Sequence, residues 1–126
     1  MKQIKFRAKI TGTDSWIFGL PHSVYGEVID SIHCLETGQT EYIKTDTLGQ
    51  FTGLKDKNEK DIFKGDILKT ATHKPMVVGW SEKFASFILS RSGWAFSHWF
   101  GESCNPEYCE IIGNKYDNPE LLQDVV

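Results

Sequence analysis

Residues 46–68 constrain this chain more than any other stretch. Gly49, Gly53 and Gly65 punctuate short apolar pieces, and a six-residue polar run, 55–60, separates Phe51 and Leu54 from Ile62 and Phe63. Glycine admits backbone angles that residues with a Cβ avoid, and polar runs of this length between apolar flanks make hairpin connections. The pattern predicts two strands joined by a tight turn. A bend at Gly65-Asp66 then leads into a third strand at Ile67-Leu68.

The remaining chain reads in the same idiom. Ile4, Phe6, Ala8 and Ile10 alternate with Lys5, Arg7 and Lys9, the period-two pattern of a strand with one buried and one wet face. Trp16 to Leu20 suits a second strand, and Pro21-His22-Ser23 reads as its interruption. Weaker strands are predicted over 24–29 and 32–35, with a turn at 36–39 and a return at Tyr42-Ile43. Further strands fit residues 76–80, 84–89, 94–100 and 108–112. The last of them ends at Gly113. Asn118-Pro119-Glu120 carries the chemistry of a helix start, namely an N-cap, a first-turn proline and a first-turn acid, so a short C-terminal helical turn bearing Leu121 and Leu122 is expected. About ten short strands, with neither a long helix nor a fixed repeat, predict an all-β fold of small-barrel or bifurcated-sheet type. The 126 residues suffice for one domain, divisible into an N-terminal β lobe, 1–49, and a barrel-like half, 50–126.

Composition narrows the setting. Forty per cent hydrophobic residues, with four Trp and eight Phe, exclude a disordered chain. No apolar run reaches membrane-spanning length and no targeting segment is visible, so a cytoplasmic protein with no membrane partner is expected. Cys34, Cys104 and Cys109 form an odd set at irregular spacing, which suits free thiols rather than a disulfide framework. The net charge of −3 is unevenly spread: residues 1–13 sum to +4 and residues 102–126 to −5. Such ends attract, within one molecule or between two. Lys5, Arg7 and Lys9, with Trp94 and Trp99, are therefore read as a candidate interaction surface.

Catalytic chemistry finds little to build on. His98, Cys104 and Cys109 lie close enough to be weighed as zinc ligands, but no second Cys or His pair completes the set, and His33 and Cys34, being adjacent, would point to opposite faces of a strand. No metal and no cofactor is expected. No motif joins a nucleophile to a base. Asp66, beside the Gly65 bend, is assigned to backbone amides rather than to acid–base work. Lys55, Lys57, Lys60 and Lys64 cluster on the central hairpin, yet Asp56, Glu59 and Asp61 interleave with them, so nucleic-acid binding is a rival and not the preferred reading.

Four blocks of sequence resemble the YopX family, small proteins encoded by phages and prophages. They are Ile4-Lys5-Phe6-Arg7-Ala8; residues 47–54 running into Lys55-Asp56-Lys57-Asn58; Ile62-Phe63-Lys64-Gly65-Asp66-Ile67; and Glu110-Ile111-Ile112-Gly113-Asn114 with Asn118-Pro119-Glu120-Leu121-Leu122. The blocks span nearly the whole chain. The resemblance implies a single β domain in a phage setting and implies no biochemical activity, because the family has none agreed. The expectation is thus a non-enzymatic protein-interaction or self-assembly module, a homo-oligomer or a binder of a phage or host protein. A nucleic-acid-binding barrel and an enzyme or binder acting on a small metabolite are the alternatives.

One residue departs from the family pattern. The position after Lys-Asp-Lys-Asn is commonly Gly there and is Glu59 here. Asp56-Lys57-Asn58 reads as a type I turn, whose next residue forms a bulge in the left-handed region. The chain is therefore predicted to hold Glu59 at positive φ, at a cost of roughly 1–2 kcal/mol, or to shift the role to Asn58.

Overall fold

The structure, a computed structural model, describes residues 4–23, 26, 28–70, 74–83, 85–91, 98–99 and 105–123. The chain divides into two compact units, Met1–Phe51 and Thr52–Val126. Its described residues hold eleven short strands in two antiparallel sheets, together with single 3-10 turns. The mainly β class and the C-terminal helical turn, Pro119–Leu122, are both present.

The first unit is built on β1 (Phe6–Lys9), β2 (Trp16–His22), β3 (Ser31–His33) and β4 (Thr40–Tyr42), with neighbours in the order β4-β3-β2-β1 and the start of β5 (Gly49–Lys55) beside β1. The β1–β2 hairpin pairs Ala8 with Ile17 and Lys9 with Trp16. Ala8, Ile17, Ile32 and Ile43 form the buried cluster, and Phe6, Ile10, Cys34 and Leu48 pack on it. Burying each large aliphatic side chain contributes about 2 kcal/mol. Thr47 closes the unit from below β1: its hydroxyl accepts the Lys9 N–H at 2.9 Å and donates to the Lys44 carbonyl at 2.6 Å.

Two expectations for this unit are corrected. Pro21 does not interrupt β2, which runs on through His22 and pairs with β3, Pro21 facing Ile32. The His22 carbonyl accepts from Asp30, so the neighbouring Pro21 nitrogen turns away from β3, beyond Phe6, the first residue of β1, where no donor is required. The wet face of β1 is not wet either. Arg7 and Lys9 are only 9% and 7% exposed, because Trp16 on the paired strand lies under both. The guanidinium carbon and the ammonium sit 4.7 Å and 5.7 Å from the centre of its ring. Of the strand expected over 24–29, Val28 and Ile29 lie outside any strand and are exposed, and Val24, Tyr25 and Glu27 fall outside the described residues.

The second unit contains β6 (Asp61–Phe63), β7 (Asp66–Lys69), β8 (Met76–Ser81), β9 (Ser86–Ser90), β10 (His98–Trp99) and β11 (Glu110–Asn114). β5 and β6 form the central hairpin, and the other five strands run in the order β10-β9-β8-β7-β11. Its core is Ile62, Leu68, Met76, Val78, Leu89 and Cys109, with Leu54, Phe87 and Ile111 against it. Arg91 is buried at the end of β9 and donates through one terminal nitrogen to the carbonyls of Pro75, at 2.8 Å, and Leu121, at 3.2 Å. That pair of bonds docks the C-terminal turn.

Candidate functional site

Asp56 organises the second unit's hairpin tip. Its Oδ1 accepts the N–H groups of Asn58 and Lys60 at 2.8 and 3.0 Å, and its Oδ2 accepts that of Ile111 at 3.0 Å. The Glu59 N–H reaches the Asp56 carbonyl at 3.0 Å, closing the predicted type I turn, and the Asp56 N–H meets the Lys60 carbonyl at 2.9 Å. Glu59 takes φ 65°, the left-handed angle expected of it. The same tip grips β11, since the Lys57 N–H donates to the Cys109 carbonyl at 2.9 Å and its ammonium pairs with Glu110 at 3.0 Å. Burial works to raise the Asp56 pKa, but three backbone donors and the nearby Lys60 charge outweigh it and hold the carboxyl below its ordinary value.

The next bend is built by local chemistry too. Asp66, fully buried, accepts the Phe63 N–H at 2.7 Å through its carboxylate, as assigned from sequence. Gly65 stands at φ 97°, where a side chain would be strained, with its N–H on the Val78 carbonyl and its carbonyl receiving Lys115. Gly53, at φ 88°, follows Thr52, whose hydroxyl accepts from Leu54 and donates to the Ile62 carbonyl.

Asn118 is placed differently from expectation. Its side chain makes no bond to the Pro119–Leu122 turn; Oδ1 instead accepts the Asn114 N–H at 3.3 Å, folding back on β11. Gly113 accommodates it, because a Cβ there would come within 2.5 Å of that same oxygen.

Of the metal-ligand candidates, Cys109 is buried in the second unit's core and its thiol donates to the Asn105 carbonyl at 3.4 Å. Cys104 and the side chain of His98 lie outside the described residues, as do Trp94 and the side chain of Trp99. Among the described residues no group of three or more His, Cys, Asp or Glu is placed to hold a metal ion. Two of the four hairpin lysines are met by acids: Lys57 by Glu110, and Lys55 by Asp61 at 3.9 Å.

The feature that sequence reasoning missed lies in the first unit. A cavity of about 470 Å³ opens beside β2 and the β3–β4 turn, walled by Ile4, Ile10, Ile17 and Leu35, with Cys34, Glu36 and Glu41 on its border. The turn is closed by the Gly38 N–H on the Cys34 carbonyl and the Cys34 N–H on the Gln39 carbonyl, both at 2.8 Å. Gly19 permits β2 to run against it, since a Cβ there would strike the His33 carbonyl. Hydrogen bonds from the Thr37 side chain and backbone lower the Cys34 pKa.

A mainly β protein of two units, with a hairpin clamped to its last long strand through one aspartate, is what the described residues define. The sequence matches the YopX protein family over residues 5–123, and the chain belongs to that family. It is also similar to protein EF1440 from Enterococcus faecalis, known from a crystal structure: the two are 25% identical and superpose with a TM-score of 0.62 over 98% of this chain and 100% of that one. No curated protein matches the chain. No helix among the described residues is long and apolar enough to cross a membrane.

Proposed function

We propose that the protein is a non-enzymatic accessory module of phage type that works by association, with a second copy of itself as its first partner. The observation that carries this reading is a set of exposed apolar side chains on one sheet face of the first unit, where His22, His33 and Thr40 also lie. Phe18 and Leu20 project from one side of β2, and the pairing of His22 with Ser31 and of Ser31 with Tyr42 places Tyr42 on that same side. The three are 46%, 39% and 53% exposed. Large apolar side chains exposed together on one face are what a protein partner can cover.

Charge contributes less than the sequence alone implies. Arg7 and Lys9 are buried over Trp16, so among the described residues the basic start offers mainly Lys5, which is half-buried, to an acidic partner surface. Association is therefore driven by the apolar face and only trimmed by salt. The pairing of Lys55 and Lys57 with acids weighs against the nucleic-acid reading. Sedimentation velocity over a concentration series tests the proposal. A dimer that Phe18→Glu dissociates is the expected result; a monomer at every concentration and salt, or a dimer indifferent to both Phe18→Glu and Tyr42→Glu, overturns it.

A further inference from the structure

We propose that the cavity in the first unit is a binding site for a small amphiphilic ligand with an apolar body and a cationic amine head. This goes beyond the association proposed above and does not depend on it, although Phe18 and Leu20 border both surfaces.

Size and lining come first. At about 470 Å³ the cavity falls within the range of small-molecule sites, and the walls made by Ile4, Ile10, Ile17 and Leu35 offer an apolar body nothing but hydrocarbon. Such a surface gains by being covered, and Ile4 and Leu35 are both largely exposed without a ligand. The polar groups lie to one side, in the β3–β4 turn and the strand that follows it: Cys34, Glu36, Thr37 and Gln39, then Glu41 on β4. Lys5 apart, the polar side chains come from this one segment, which also contributes Leu35, and a lining of hydrocarbon with a few polar groups suits an amphiphile.

Charge then chooses the head group. Among the described residues two carboxylates, Glu36 and Glu41, stand on the border against one cation, Lys5. The Lys5 ammonium lies 5.0 Å from the centre of the Phe51 ring, and Phe51 is not part of the lining. The border is therefore acidic in balance. Thr37 hydrogen bonds lower the Cys34 pKa, and a thiolate there would add to the same negative balance. Glu36 is close enough to Cys34 to oppose that ionisation, which places carboxylate and thiol in one electrostatic neighbourhood.

Cys34 also supplies the readout. It is half-buried on the cavity border, whereas Cys109 is buried in the other unit, so alkylation of Cys34 by iodoacetamide, followed by peptide mass spectrometry, reports occupancy at this place. Three probes of equal chain length, octylammonium, octanol and octanoate, separate the apolar contribution from the charge. Octylammonium should slow Cys34 alkylation at the lowest concentration, octanol next and octanoate last, with about a fivefold or greater spread between the two ions, as one screened charge interaction allows. Replacing both acids, Glu36→Gln with Glu41→Gln, should bring octylammonium and octanol to equal potency while leaving octanol unchanged. Glu36 is exposed on a turn and Glu41 half-buried on an outer strand, and an unchanged thermal transition confirms that the fold is kept. Octanoate protecting as well as octylammonium, a charge preference that survives the double substitution, or no protection by any probe would each overturn the proposal.

Discussion

Asp56 Oδ2 accepts the backbone N–H of Ile111 at 3.0 Å across 55 residues of sequence. The other carboxylate oxygen holds Asn58 and Lys60 four residues away or fewer. One side chain thus shapes the hairpin and fastens it to β11. Replacing it by alanine leaves three N–H groups without their acceptor, so Asp56→Ala should cost about 3 kcal/mol in urea unfolding. A loss below about 1 kcal/mol would show that water replaces the carboxylate without penalty.

The same residue sets an acid dependence. Its pKa in the folded protein lies below the ordinary 3.8, because the three N–H bonds and Lys60 overcome burial. A depressed value means that the folded state favours the ionised form. The stabilisation is complete above the ordinary value and is lost as pH falls through it towards the lower folded one. The stability gap between the parent and Asp56→Asn should therefore be constant near neutrality and shrink in the acid limb. A gap that widens with acid would reverse the sign and reject the assignment.

Glu59 holds φ 65° with a Cβ attached, at the position where a bulge prefers glycine. Glu59→Gly should raise stability by up to about 1 kcal/mol, since relief of strain is partly offset by the greater freedom of the unfolded chain. The exposed Glu59 side chain gives no packing to lose. A clearly lower melting temperature for the variant would mean that the glutamate serves the loop in some other way.

Gly113 and Asn118 form a second coupled pair. Gly113→Ala pushes a methyl group within 2.5 Å of the Asn118 oxygen and should cost about 1–3 kcal/mol. In an Asn118→Ala background most of that cost should vanish, because the amide that the methyl meets is gone. Equal costs in both backgrounds would place the strain elsewhere.

Metal removal should leave the protein as it is. The Cys109 thiol is buried and already engaged with the Asn105 carbonyl, which suits a packed side chain rather than a ligand. Chelation should not shift the thermal transition. One zinc per chain by elemental analysis would instead promote Cys109, with Cys104 and His98, to ligands.

The sequence by itself determined what adjacent residues decide among themselves. Alternation marked the strands, the Asp56-Lys57-Asn58 turn placed Glu59 in the left-handed region, and Asp66 was bound to bond amides in its own bend; each of these contacts closes within about four residues, so neighbouring identities suffice. Tertiary structure decided the rest. Period two says that Arg7 and Lys9 share a face, but only the register that sets Lys9 against Trp16 buries them. Asn118 carries the signature of a cap and turns instead to β11, where Gly113 leaves room for it. Arg91 is a buried anchor because Pro75 and Leu121, distant in sequence, present carbonyls to it. The cavity beside Cys34 is assembled from residues flanking β1, from β2, and from the β3–β4 turn and β4, so no short segment contains it. A side chain's polarity is written in the sequence, whereas the cover over it and the partner opposite it come from strand pairing between segments tens of residues apart.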